Sequence, residues 1–456
     1  MKKRVVVILL LIALLFSFTT VAFAGEVSVE EAAAKKHKQA VTTLIILGVA
    51  AVLFITEIIP LAVTAMAVPV VLSQTGVVSP KEAFSGLYDS NVIIFAGMFV
   101  VGAALFETGV AQKIGDAVVR KAGTSEIKLA LGVMVMAAAL SSVLSNTGTT
   151  AVLLPVAIGI ANSAGWSRSK VLMPLAFAAG LGGVITLVGT PPNLLVNGVL
   201  GTSGLREFGF FEFAFIGIPL TVVGIIYMLT IGRKLLPDRP NAPDDNVQNN
   251  EVKEVSTIKQ YTASGILIGV VIVMAFFSKI IPLHVAATVG ALLCIITGTL
   301  TEKQAYRSID WTTIFLFAGM LSLASAMATT GAGKLIADFV INLIGEDANP
   351  YLIMTAMFFL SAGLSQFMSN TATAALLAPI GLAIANGLGA SPHAILMIIG
   401  VAASCAFATP VGTPPNTLVL GPANLRFLDY VKVGLPLIFV CYIVSIIIIP
   451  LVWPLY

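Results

Sequence analysis

Residues 145–162 read SNTGTTAVLLPVAIGIAN, and residues 369–386 read SNTATAALLAPIGLAIAN. Ten of these eighteen positions are identical at a constant offset of 224. The match extends outward in nearly the same register. VGTPPN at 188–193 recurs whole at 411–416, an offset of 223. Ala96-Gly97-Met98 matches Ala318-Gly319-Met320, Thr108-Gly109 matches Thr330-Gly331, and Lys81 and Ala83 match Lys303 and Ala305, all at 222. Shared apolar composition produces scattered coincidences, but not motifs of this complexity in register. The chain is an internal duplication.

Composition says what is duplicated. The 456 residues are 58% hydrophobic and only 10% charged, with a mean hydropathy of +1.01, against roughly 25% charged residues in an average soluble domain. Such a chain is an all-α polytopic membrane protein, its lipid-facing surface made of its own apolar residues. A net charge of +3 spread over the loops leaves no basic face for nucleic acid. The three cysteines and three histidines show no ligand spacing, which argues against a disulfide framework or a transition-metal centre. At the N-terminus, Met1-Lys2-Lys3-Arg4, the apolar run from Val5 and Ala22-Phe23-Ala24 fit either a cleaved signal peptide or a retained first helix over 5–24.

Hydropathy divides the chain into segment 1–24, a first repeat at 39–236, a polar, proline-rich linker at 237–260 and a second repeat at 261–456. In the first repeat, 128–163 forms two segments rather short to span, around Ser-Asn-Thr, and reads as a re-entrant hairpin. The run 170–203 is one crossing interrupted at Gly189-Thr190-Pro191-Pro192-Asn193, where two prolines cannot continue a helix. The second repeat has its hairpin at 351–388 and its broken helix at 394–423. Each repeat then makes five crossings plus a hairpin, for about 11 helices with 5–24 included. An odd number of crossings inverts the second repeat relative to the first, an arrangement that marks secondary transporters. With the N-terminus inside, 18 of the 25 Lys and Arg fall on the cytoplasmic side, as expected of a multi-pass protein of the bacterial inner membrane. The first hairpin then opens from the cytoplasm and the second from outside.

The tips carry the chemistry. Both read Ser-x-x-x-Ser-Asn-Thr, from Ser141 and from Ser365. Ser145, Asn146 and Thr147, and likewise Ser369, Asn370 and Thr371, precede a returning helix and can cap it. That helix's N-terminus offers free N–H groups and about half a positive charge to an anion. No Lys or Arg lies within about 17 residues of Asn146 or Asn370, so the anion site is built without full charges. The helix entering each tip ends in free carbonyls, and the proline breaks free more. Such oxygens suit a small alkali cation. No Asp or Glu lies near either tip in sequence, so the coupling ion reads as Na⁺ rather than H⁺. Serine and threonine commonly serve as packing glue in membranes. Two copies, each followed 43–44 residues later by Gly-Thr-Pro-Pro-Asn, argue against that for the tips. Thr149, Thr373, Asn162 and Asn386 read as caps and packing.

Paired Ser-Asn-Thr tips with paired Gly-Thr-Pro-Pro-Asn breaks resemble the divalent anion/sodium symporter (DASS) family of di- and tricarboxylate transporters. The resemblance covers essentially everything after residue 40. It implies a homodimer in which a transport domain carries substrate and Na⁺ past a scaffold, an elevator-type motion. It implies that Ser145, Asn146, Thr147, Ser369, Asn370 and Thr371 bind the carboxylates of a small dianion, with Thr190, Pro191, Thr413 and Pro414 lining the pocket. It places one Na⁺ among Ser141, Ser145, Asn146 and Gly189, and the other among Ser365, Met368, Asn370 and Gly412. The family usually has eleven crossings, which favours retaining 5–24. Beyond Na⁺ no organic cofactor is implied. The function expected is Na⁺-coupled symport of C4-dicarboxylates (succinate, malate, fumarate) or related di- and tricarboxylates. The alternative is a carrier of sulfate or another inorganic divalent anion, or an anion exchanger. A membrane enzyme would need a nucleophile–base pair or metal triad at depth, and a channel would need a continuous pore; neither is written in the sequence.

Overall fold

The computed structural model describes residues 29–114, 125–238, 256–344 and 349–455. The segment 5–24 and most of the linker lie outside the described residues. Within them the first half runs α1 (Val29–Thr56), α2 (Leu61–Gln74), α3 (Pro80–Ala83), α4 (Ser90–Glu107), α5 (Glu126–Ser141), α6 (Asn146–Ala164), α7 (Ser169–Gly183), α8 (Pro191–Thr202) and α9 (Ala214–Tyr227), which continues through a π-helical turn, Met228–Gly232. The second half runs α10 (Thr257–Phe276), α11 (Leu283–Ile296), α12 (Glu302–Ser308), α13 (Trp311–Thr330), α14 (Ala332–Ile344), α15 (Pro350–Leu364), α16 (Asn370–Gly387), α17 (Pro392–Ala403), α18 (Pro414–Leu420) and α19 (Phe427–Val452). No strand occurs among the described residues. Among the described residues, six helical stretches are long and apolar enough to cross a membrane: Ala34–Thr56, Ser90–Glu107, Ala214–Leu235, Thr257–Phe276, Trp311–Thr330 and Phe427–Val452.

The repeat is visible in local chemistry as well as in order. α3 and α12 both start with a capping box, Ser79 with Glu82 and Thr301 with Gln304, which satisfies two orphan N–H groups at once. α4 and α13 are both capped by an aspartate, Asp89 and Asp310, that accepts from the N–H two residues on. α2 and α11 are each 14 residues long, about 21 Å of helix.

The halves are interlocked by reciprocal crossings: α4 packs on α11, and α13 packs on α2. Both crossings need glycine. A Cβ on Gly97 would lie 2.8 Å from Ala287, and one on Gly319 would overlap the carbonyl oxygen of Ala65. These are equivalent pairs, 222 residues apart, and small residues let membrane helices approach this closely. A second group is formed by the two hairpins (α5–α6 and α15–α16) with the two broken helices (α7–α8 and α17–α18). It meets the first group through α8, which packs against α4 and α13, and through α16, which packs against α13. The counterpart elements, α18 and α6, pack on each other and α18 on α7.

Candidate functional site

Each tip is a helix start forced by its sequence. Ser145 is extended (φ −68°, ψ 141°) and its Oγ accepts from the N–H of Gly148 at 3.1 Å. Ser369 does the same (φ −62°, ψ 147°) for Ala372 at 3.1 Å. Such a cap stabilises by about 1 kcal/mol. It occupies one of the first-turn N–H groups and leaves those of Asn146 and Thr147, and of Asn370 and Thr371, available to a ligand. The caps therefore fall to Ser145 and Ser369, and the neighbouring Asn and Thr begin the helices.

The tips and the breaks meet in one cavity of about 380 Å³. Ser145, Asn146, Thr147, Gly189, Thr190 and Pro191 line it from the first repeat. Ser369, Asn370, Thr371, Gly412, Thr413 and Pro414 line it from the second. Ser141, Ser365 and Met368 do not reach it; they are buried directly behind, at 0%, 0% and 2% exposure. No Lys or Arg is among the lining residues. The Thr190 Oγ1 is buried with no hydrogen-bond partner, which leaves it free for a guest. Thr149 and Thr373, read as packing residues, are fully buried and do not line the cavity.

Behind the cavity wall, oxygens gather. In the first repeat the Ser141 hydroxyl donates to Asn146 Oδ1 at 2.5 Å. A Cβ on Gly189 would sit 2.5 Å from the carbonyl oxygen of Gly183, 2.9 Å from that of Ser142 and 3.0 Å from that of Ser141. In the second repeat the Ser365 hydroxyl lies 2.8 Å from Asn370 Oδ1 and 2.5 Å from the Ala403 carbonyl. A Cβ on Gly412 would stand 2.5 Å from the Ser365 carbonyl. Neutral carbonyl, hydroxyl and amide oxygens crowded around a missing side chain fit an alkali cation. Such a cation could be held in the first repeat by Ser141, Asn146 and Gly189, with Ser145 beside them, and in the second by Ser365, Asn370 and Gly412, with Met368 beside them.

Several contributors were not read from the sequence. Asn193 Nδ2 donates to the carbonyls of Thr186 at 2.8 Å and Gly183 at 3.4 Å. Asn416 Nδ2 donates to Thr409 at 2.9 Å and Ala406 at 2.8 Å. The Thr186 hydroxyl donates to the Ser142 carbonyl, and the Thr409 hydroxyl to the Gln366 carbonyl at 2.6 Å. The asparagine amides close each break on itself, and the threonine hydroxyls tie it to its own hairpin. The asparagines belong to the repeated VGTPPN, and the two threonines also sit 223 apart, so the repeat itself carried the signal.

One expectation needs correcting. No carboxylate lies near the tips in sequence, yet Asp310 lines the same cavity, brought there with Ser308, Thr312 and Thr313 from the start of α13. Its oxygens accept from Thr312 N at 3.1 Å, Thr313 N at 3.3 Å and Thr313 Oγ1 at 2.6 Å, so it serves as a helix cap. Phe99 and Phe106 of α4 complete the apolar part of the wall.

Comparison with known proteins agrees with this architecture. The citrate transporter family profile (CitMHS) matches residues 51–389 and 336–455. A transporter of Haemophilus influenzae is 32% identical over 422 residues, 88% of this chain and 89% of its own. The sodium-dependent dicarboxylate transporter SdcS of Staphylococcus aureus is 27% identical over 443 residues, 88% of this chain and 84% of its own. Among solved structures, the Alcanivorax borkumensis YdaH transporter shares the fold, with a TM-score of 0.61 at 15% identity over 91% of this chain and 97% of its own. The kinship drawn from the paired motifs holds, and the protein is a transporter rather than an enzyme, built as a multi-pass protein of the bacterial inner membrane. The chain belongs to the citrate transporter (CitMHS) family.

Proposed function

We propose that the protein is a Na⁺-coupled symporter of C4-dicarboxylates or related di- and tricarboxylates, working as an elevator built from two inverted repeats and assembled as a homodimer. The observation that carries the proposal is the meeting of both Ser-Asn-Thr tips in one 380 Å³ cavity without a lysine or arginine. A dianion there receives N–H groups and dipole charge from α6 and α16. A Na⁺ beside each tip offsets the remaining negative charge, which gives co-transport a physical reason. That SdcS, of similar sequence, is named a sodium-dependent dicarboxylate transporter supports the same substrate class.

With the topology drawn from charge, the ends of α4 and α13 that face the cavity are cytoplasmic, so this is the inward-facing state. The outer side is closed where α8 lies on α4 and α13 and α16 lies on α13. Outward movement exchanges those contacts for equivalent ones made by α18 and α6. The test is uptake of labelled succinate into proteoliposomes under an inward Na⁺ or K⁺ gradient, with malate, citrate and sulfate as competitors. Saturable, Na⁺-requiring uptake that malate inhibits is the expected result. Sulfate transport without succinate transport, or uptake driven equally by a pH gradient in K⁺, overturns it.

A further inference from the structure

The two oxygen cages are built from equivalent residues but are not held equally. In the first repeat, Ser142 follows the cage residue Ser141, and its hydroxyl turns back to the Ala139 carbonyl of its own helix at 2.7 Å. In the second repeat the equivalent position is Gln366, 6% exposed, and its side chain reaches across the break. Its Nε2 donates to the Ala362 carbonyl at 2.6 Å and to the Cys405 carbonyl at 3.1 Å, while its Oε1 accepts from Ala408 N at 2.8 Å. Its own carbonyl accepts from the Thr409 hydroxyl, which in turn accepts from Gly412 N at 3.1 Å. One N–H and the oxygen of this amide fix residues 405–408 against the end of α15, while the other N–H ties the side chain back to α15 itself. The run continues to Gly412, whose missing Cβ faces the Ser365 carbonyl. Among the described residues of the first repeat, one side-chain bond does the same, from the Thr186 hydroxyl to the Ser142 carbonyl.

A cation site assembled beforehand binds more tightly than one that must order its carbonyls on binding, because the ordering entropy is already spent. We propose that Gln366 is a positioning residue that preorganises the second cage, making it the tighter of two unequal Na⁺ sites and the first to fill, with the looser first-repeat cage filling afterwards. The proposal rests on the Na⁺-coupled reading above. The substrate class does not enter it.

The test is equilibrium binding of ²²Na⁺ to the full chain in detergent, for the wild type, Q366S, S142Q and S361A. The wild type should show a tight and a weak class. Q366S, which gives the second repeat the residue of the first, should weaken the tight class by about three- to tenfold, the effect of a few lost buried hydrogen bonds, and leave the weak class unchanged. S142Q should tighten the weak class. S361A removes a different bond between the same elements, Ser361 Oγ to the Ile399 carbonyl at 3.0 Å, and should lower thermal stability while preserving the tight class. Equal weakening of both classes by Q366S, no change in either, or a loss in S361A as large as in Q366S overturns the positioning role. Absence of any saturable ²²Na⁺ binding by the wild type overturns the Na⁺ reading itself, a result separable from the others.

Discussion

In the first repeat, α8 lies buried along α4, α13 and α16, and Asn197 at its centre donates to Asn91 Oδ1 and Glu207 Oε2, both at 3.1 Å, while accepting from Phe208 N at 2.6 Å. In the second repeat, α18 is cut to seven residues and Leu420 stands at the position equivalent to Asn197. Val411 and Phe367 near its tip are 66% and 71% exposed, where the equivalent Val188 is 6% exposed. The tip caps, the Ser–Asn pairs and the asparagines of the breaks make the same hydrogen bonds twice, whereas the brace at Gln366 and the outward-facing parts differ. A duplicated chain can keep a symmetric site for a symmetric ligand and still occupy one end state, provided that its two flanks contact the rest of the molecule unequally.

The largest expected effect tests the shared part. Asn146→Ala or Asn370→Ala removes the oxygen that receives the Ser141 or Ser365 hydroxyl, and either should lower uptake by about a hundredfold or more while folded protein is still recovered by size exclusion. Normal uptake in both would break the equivalence at its root. Gly189→Ala and Gly412→Ala come next. Each would press a methyl within 2.5 Å of a carbonyl oxygen, and the Na⁺ concentration for half-maximal uptake should rise about tenfold or more. An unchanged Na⁺ dependence in both would place the cation elsewhere.

The unshared part gives smaller effects. Asn197→Leu copies the second repeat into the first and leaves the buried Asn91 oxygen and Phe208 N–H without a partner. It should destabilise by about 1–3 kcal/mol, seen as a lower Tm in detergent, whereas Leu420→Asn should change Tm little. Equal losses in the two would mean that the flanks are more alike than their contacts. Glu207→Gln tests the same corner more gently. Burial first, and then the neighbouring Asp89, raise the pKa of Glu207 above the usual carboxylate value. A carboxyl raised in the folded protein contributes stability below its unfolded pKa and loses it as pH rises through the folded one. Glu207→Gln should therefore raise Tm at pH 7 by about one or two degrees and leave it unchanged near pH 4. The opposite sign would mean that the ionised form is the one held in place.

The repeat, the hairpins and the breaks were legible because their makers are residues whose backbone demands leave little choice. Ser at a helix start, Pro-Pro after Gly-Thr, and Gly97 and Gly319 at close crossings all occur in both halves. Asp310 was not legible. It lies 164 positions from Asn146 in sequence, and only the packing of α13 beside the hairpins brings it to the cavity. Gln366 sits three residues from Ser369, yet its partners Cys405 and Ala408 are 39 and 42 residues away, and its counterpart Ser142 gave no sign of the role. Apolar residues such as Val77 and Leu300 continue past the ends of α2 and α11, so hydropathy alone does not show where those two helices stop.

The central claim is that both tips grip one substrate. Thr147→Cys and Thr371→Cys, each in a cysteine-free background, should react with a small thiosulfonate reagent, and the rate measures access to each tip. Succinate with Na⁺ should protect both positions with the same half-maximal succinate concentration, and succinate with K⁺ should protect neither. Protection of one tip alone, or at concentrations that differ widely between the two, would contradict a single shared site.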